Sequence, residues 1–142
     1  MLATSLLLLA NAAGQLTADP AGFLRVAWTN QPRTLADAQA LFTSMSTALH
    51  QRNWSRILIN QAAMRPLSAD EQQWISQQWL PLAVRSGYRT GAVVVSTDIF
   101  ARLATAFITT NVGGMPLRYR SFDQETEARA WLRQQPATPA GR

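Results

Sequence analysis

Residues 57–74 read ILINQAAMRPLSADEQQW, and this stretch decides the fold. Ile57, Leu58 and Ile59 are apolar on both faces of an extended chain, as expected of a strand in the centre of a sheet. A polar loop follows from Asn60 and ends at Pro66. Ser68-Ala69-Asp70-Glu71 then stands at the mouth of a helix as a capping box: a serine that can accept the amide three residues on, and a glutamate that can reach back.

Working outward, the turn signal Asp19-Pro20-Ala21-Gly22 precedes a second strand at 23–29 (FLRVAWT). The leucine run near the N-terminus resembles a secretory signal, but it is short and no Lys or Arg precedes it. The preferred reading is a buried first strand over 5–10 that turns near Gly14 and pairs with the strand at 23–29. Thr34 and Asp37 suggest a capping box for a helix over 34–52, whose Leu35, Ala38, Leu41, Phe42, Met45, Ala48 and Leu49 share one face.

The helix opened by Ser68 spans 68–86, with Trp74, Ile75, Trp79 and Leu82 inward. Pro81 falls where that helix should still be running, so a kink is expected near Gln77 and Gln78. Gly87 ends it. A strand at 90–96 (TGAVVVS) is again apolar on both faces. A helix over 98–111, capped by Thr97 or Asp98, is expected to turn Ile99, Phe100, Leu103, Phe107 and Ile108 to the core. The strand at 117–122 alternates arginines, the mark of an edge or a half-exposed face. Asp123 is expected to cap a last helix over 123–134, with Glu125 and Glu127 at the positive end of its dipole. The order β-β-α-β-α-β-α-β-α predicts an α/β fold: one domain over 1–135, a mixed, mostly parallel sheet of five strands and four helices. Residues 136–142 are expected to form a flexible tail.

Composition narrows the function. The 142 residues are 47% hydrophobic and 15% charged, which describes a globular chain able to bury a core. There is no cysteine, which excludes disulfides, thiolate metal sites and cysteine nucleophiles and fits a cytoplasmic location. The net charge is +5 and every basic residue is an arginine, yet the arginines are scattered singly. The closest pair is Arg118/Arg120 and others, such as Arg85/Arg89, stand four apart, so no specific nucleic-acid footprint emerges. The apolar N-terminal run is too short to span a bilayer.

Several details together resemble the SpoIIAA-like, or STAS/Sec14-type, family of small bacterial α/β domains. They are FLRVAW at 23–28, ILIN stopping at Asn60, Trp74 with Trp79-Leu80-Pro81 before Gly87, and FDQETEARAWL at 122–132. The resemblance covers 5–134 and implies four or five strands wound with four helices. Its best-studied members, anti-sigma factor antagonists, bind a kinase and are switched by phosphorylation in an Asp-Ser-Ser/Thr-Gly type turn directly after the third strand. Here that place reads Asn60-Gln61-Ala62-Ala63, without hydroxyl or glycine. Ser68 arrives eight residues later in a complete capping box with Glu71, so it reads as a structural cap rather than a switch.

Catalytic chemistry finds few candidates. His50 is the sole histidine and sits near the end of a helix beside Gln51 and Arg52, where its charge suits the dipole. No G-x-S-x-G elbow is present, and the acidic residues cluster in first turns of helices, where capping places them. Neither an enzyme nor a cofactor is expected. The remaining candidate surface is the loop 60–67, leaving the C-terminal edge of a central strand, where open α/β sheets hold ligands. Asn60, Met64, Arg65 and Leu67 belong to it. Met64 and Leu67 either form a small apolar patch rimmed by Arg65 or fold back on the core as a lid. Trp74 and Trp79, about 140° apart on a helix, cannot both face the core squarely. Two functions follow. One is a regulatory or scaffolding module with a protein partner, expected to be a homodimer through an uncovered sheet face or the second helix. The other is a holder of a small apolar or amphipathic ligand between helices and sheet.

Overall fold

Six strands form one sheet in the order β1-β2-β3-β4-β5-β6 in the computed structural model, which describes residues 4–110 and 112–139. The strands are β1 (Leu6–Ala10), β2 (Gly14–Asp19), β3 (Phe23–Trp28), β4 (Arg56–Asn60), β5 (Thr90–Val94) and β6 (Arg118–Phe122). The first three make an antiparallel meander, and β3 to β6 run parallel. The fold is thus α/β with a mixed sheet, and it has six strands rather than the five expected.

The extra strand is β2. Its sequence GQLTAD holds one large apolar residue, Leu16, so its period-two pattern is faint, and it lies between the turn expected near Gly14 and the turn signal at 19–22. Leu16 is fully enclosed and Ala18 is buried, however, on the face that packs on the first helix. β2 therefore separates β1 from β3, and the expected pairing of the first strand with 23–28 does not form. Gly14 lies so close to β3 that a Cβ would press on the Ala27 carbonyl, which explains why β2 begins at a glycine. Nor is β1 the buried strand expected. It is an edge, and Leu6 and Leu7 stand exposed.

Each of the four parallel strands is followed by one helical unit. α1 (Leu35–Arg52) opens with a capping box in which the Asp37 amide donates to Thr34 Oγ1 at 3.1 Å. The second unit is a continuous rod of α2 (Ala69–Trp74), a π-helical turn (Ile75–Trp79) and α3 (Leu80–Arg85). α4 (Ile99–Thr110) and α5 (Glu125–Arg133) complete the set. Because β3 to β6 add in one direction, crossovers of one hand bring α1, the α2–α3 rod and α4 to the same face. The larger core lies under them, and among the described residues α5 is the helix that covers the other face, with Phe23, Leu58, Ala92 and Val94. Arg56, buried at the start of β4, fastens α5 by donating to Leu132 O at 3.1 Å and to the carbonyls of Ala21 and Gly22 at 3.0 Å.

Pro81 acts where the break was expected, through a wider turn. Having no N–H, it cannot continue the α-ladder. The Leu80 amide bonds Ile75 O, five residues back. This extra residue shifts the helix phase: Leu80 and Ala83 are buried, and Leu82, expected inward, is exposed. The C-terminal cap is Ser86, followed by Gly87 at φ 115°.

Two further expectations change. The last helix begins at Glu125 with Gln124 as a cap lacking a side-chain bond, so Asp123 does not cap it. More consequentially, α4 faces the other way. Ala101, Ala104, Thr105 and Ile108 pack inward, while Ile99, Phe100, Leu103 and Phe107 point out. The start of the expected tail is tied down, since the Ser55 hydroxyl donates to Pro136 O at 2.7 Å and the Ser55 amide to Ala137 O. The rest of that tail, 140–142, lies outside the described residues.

Candidate functional site

The loop after β4 is positioned from both ends. Asn60 closes the strand and spends its side chain locally: its Oδ1 accepts the Ala62 amide at 2.9 Å and its Nδ2 donates to Glu125 Oε1 at 2.8 Å. Gln61 extends the ladder to Val94 O through its amide and, buried, accepts from Thr105 Oγ1 at 2.8 Å. That bond joins the loop to α4. Met64 and Leu67 are buried and fold back into the core, so of the two readings of these residues the structure has the lid. Arg65 is exposed, and its Nε donates to Asn30 O at 2.8 Å.

The two tryptophans come closer than α-helical spacing predicts. Residues five apart stack across a π-turn, so both reach Phe42, Trp79 at 4.6 Å and Trp74 at 6.1 Å between ring centroids. Trp79 is fully enclosed, with its indole N–H donating to Phe42 O at 2.7 Å. Trp74 is half-buried at the margin. Of the six candidate residues, Met64, Leu67 and Trp79 thus converge on one place, Trp74 meets only the outer side of its Phe42 wall, and Asn60 and Arg65 are engaged elsewhere.

That place is a cavity of about 40 Å³ beneath α4, walled by Trp28, Phe42, Trp79, Tyr119, Thr105 and Ile108. It is far below the roughly 300 Å³ of a small-molecule site. Trp28 lines it, and the Trp28 indole N–H is buried with no acceptor among the described residues. Tyr88 and Tyr119 meet edge to face at 5.9 Å, and burial raises the pKa of both phenols. A Cβ at Gly91 would overlap both rings, so β5 needs glycine where they cross it. A wider open groove, about 420 Å³, lies between Arg89, Arg118, Met115 and Pro136. It borders the first residues of β5 and β6, away from the C-terminal edge where such sheets bind ligands.

The Ser68 hydroxyl accepts the Glu71 amide at 3.1 Å, and the Ser68 amide donates to Glu71 Oε1 at 2.8 Å. Glu71 also pairs with Arg33 at 2.7 Å, both side chains being only 5% exposed. Arg33 in turn lies over the Trp28 ring and donates to Pro66 O. Ser68→Ala should therefore lower stability by about 1 kcal/mol in urea unfolding, and Ser68→Asp, which also caps, should be nearly neutral.

On the opposite face, Glu125 takes hydrogen bonds from Arg25, Asn60 and Arg129, and Arg129 bonds Asp19 at 2.8 Å. Burial would raise the Glu125 pKa, but these donors outweigh it and hold the carboxyl at about 2. A lowered folded pKa contributes stability above the unfolded value, near 4.5, and that stability is lost as pH falls toward 2. Glu125→Gln should thus be less stable than the wild type at pH 7, by about 1–2 kcal/mol, with the gap closing between pH 4.5 and 2 in urea titrations.

The sequence reading missed the outer face of α4, because α4 is apolar nearly all round and the larger side chains were assigned inward. The signal available was the second stripe of Ala101, Ala104, Thr105 and Ile108 at helical spacing. Among the described residues no group of three or more acidic or histidine side chains could hold a metal, and no helix is long and apolar enough to cross a membrane.

Sheet order, crossover helices and a post-strand loop plugged by its own apolar residues define a small α/β domain of the STAS type. The chain belongs to the SpoIIAA-like family, whose sequence model matches residues 23–133. No curated protein and no solved structure matches the chain.

Proposed function

We propose that this protein is a non-enzymatic regulatory or scaffolding module that works through protein contacts. The observation that carries the reading is the outer face of α4, where four large apolar side chains stand between 57% and 70% exposed on one helix. The interior supports it as well, for the loop after β4 is filled by its own Met64 and Leu67, and the space under α4 is a few atoms wide. The family's phosphoacceptor turn is replaced by Asn60-Gln61-Ala62-Ala63, so any regulation here does not use a hydroxyl at that turn. His50, the sole histidine, stands exposed in the last turn of α1.

A second reading has one observation in its favour. The Trp28 N–H, buried beside the cavity without an acceptor, is a donor that a small amphipathic ligand could satisfy if α4 moved outward. Native mass spectrometry of the protein purified from its own host separates the two. The module reading expects whole multiples of the 15.7 kDa chain with no retained small molecule. A stoichiometric ligand, lost on Ile108→Trp because the larger ring fills the cavity, would replace it with the second.

A further inference from the structure

The outer stripe of α4 has a shape that suits one occupant. At 100° per residue, Ile99, Phe100, Leu103 and Phe107 fall within about 100° of arc, the width of a core-facing stripe. A fully exposed aromatic side chain presents about 150–250 Å². At 70% and 57% exposure Phe100 and Phe107 leave on the order of 200–300 Å² in water, and Ile99 and Leu103 bring the total toward roughly 500 Å². Two such faces together come to about 1,000 Å², the lower bound for a specific protein interface.

The pattern is also its own complement. Ile99, Leu103 and Phe107 form one i, i+4 ridge, which packs against another of its kind. Phe100 and Phe107 stand three and four residues to either side of Leu103. A two-fold axis at Leu103, with the helices antiparallel, sets Phe100 of one copy against Phe107 of the other, twice. The exposed Ala106 at the stripe's border allows close approach. Charge does not oppose the pairing, since Arg102 is the only ionisable residue from Ile99 to Thr110 and lies beside the stripe. The same scarcity of basic residues argues against a lipid surface, which favours Lys and Arg along the polar flank of a bound helix.

We propose that α4 is the two-fold interface of a homodimer, centred on Leu103. The proposal rests on the protein-contact reading above and names its partner as a second copy of this chain. Sheet faces and the α2–α3 rod, expected to supply such a surface, are less suited. Ile57, Leu58, Ile59, Val93 and Val94 are all buried within one chain, and on the rod Trp74 is half-buried while Leu82, though exposed, reaches only 39%.

The chain has no cysteine, so a single introduced thiol reports its own neighbour. Leu103→Cys in the full chain should form a disulfide-linked dimer under mild oxidation about tenfold faster than Gln51→Cys, an exposed control at the end of α1, because dimerisation raises the local thiol concentration. Leu103→Arg should shift the light-scattering mass from two chains to one while leaving the far-UV spectrum and melting temperature unchanged. Should that variant fail to fold, the crosslinking rates decide alone. A wild type that scatters as one chain throughout the micromolar range, with equal crosslinking rates, would overturn the dimer and leave the module with another partner. Leu103-dependent sedimentation with phosphatidylserine vesicles, without self-association, would overturn it in favour of a lipid surface. A retained small molecule in native mass spectrometry bears on the module reading and leaves these rates unchanged.

Discussion

Trp79→Ala is expected to lower folding stability by about 3–5 kcal/mol, a large share of what a domain of this size holds. The indole is 1% exposed and packs on Phe42 at 4.6 Å and Tyr88 at 5.7 Å. Its removal enlarges the cavity that Trp79 already borders, so the loss combines transfer of a large ring with a void that the rigid sheet below cannot fill. It also removes the donor to Phe42 O that ties the rod to α1. Trp74→Ala, at the half-buried margin, should cost less than half as much. Urea unfolding of the two variants at one temperature measures the difference, and equal losses would show that Trp79 is not the anchor the packing makes it.

Glu71→Ala is expected to cost about 3–5 kcal/mol, several times the loss from Ser68→Ala although both residues belong to one cap. Ser68 contributes a hydroxyl acceptor at an exposed helix end. Glu71 does two things at once, since it accepts the Ser68 amide and is the counter-ion of Arg33, with which it is buried. Without it a guanidinium held over Trp28 loses its carboxylate where water reaches poorly. Adding Arg33→Met should recover part of the loss, because removing both charges leaves no unpaired ion. In a double-mutant cycle by urea unfolding, additive losses would mean that Arg33 and Glu71 act independently, contrary to their 2.7 Å contact.

The first of these variants also bears on the proposed function, through α4. Trp79 and the lid residues Met64 and Leu67 fill the space over Ile59 and Val93, and α4 closes that space with Thr105 bonded to Gln61. Loosening this interior should make the outer stripe less regular, so Trp79→Ala is also expected to weaken any association made through Leu103.

What the residues determined by themselves is whatever depends on near neighbours. Apolar runs at 57–59 and 92–94 specify central strands, because only strands buried on both faces tolerate them. Thr34 with Asp37 and Ser68 with Glu71 start helices, since the cap and its reach-back partner lie three residues apart on any chain. Pro81 disturbs its helix whatever surrounds it, having no amide to give. The loop altered at Asn60-Gln61-Ala62-Ala63 is equally plain, for a missing hydroxyl needs no structure to be noticed. Tertiary structure decided the rest. The stretch from Gly14 to Asp19 becomes a strand because β1 and β3 offer it partners on both sides, more than its own one leucine would claim. Trp74 and Trp79 share Phe42 because the π-turn, forced by Pro81 downstream, rotates one toward the other. In α4 either stripe could have faced the core by hydrophobicity alone. Tyr119, Trp79 and Met64 already occupy that volume, so the small side chains fit inward and Ile99, Phe100, Leu103 and Phe107 are left to the surface. The direction in which a helix apolar nearly all round faces is set by the space its neighbours leave, and that quantity is nowhere local in the chain.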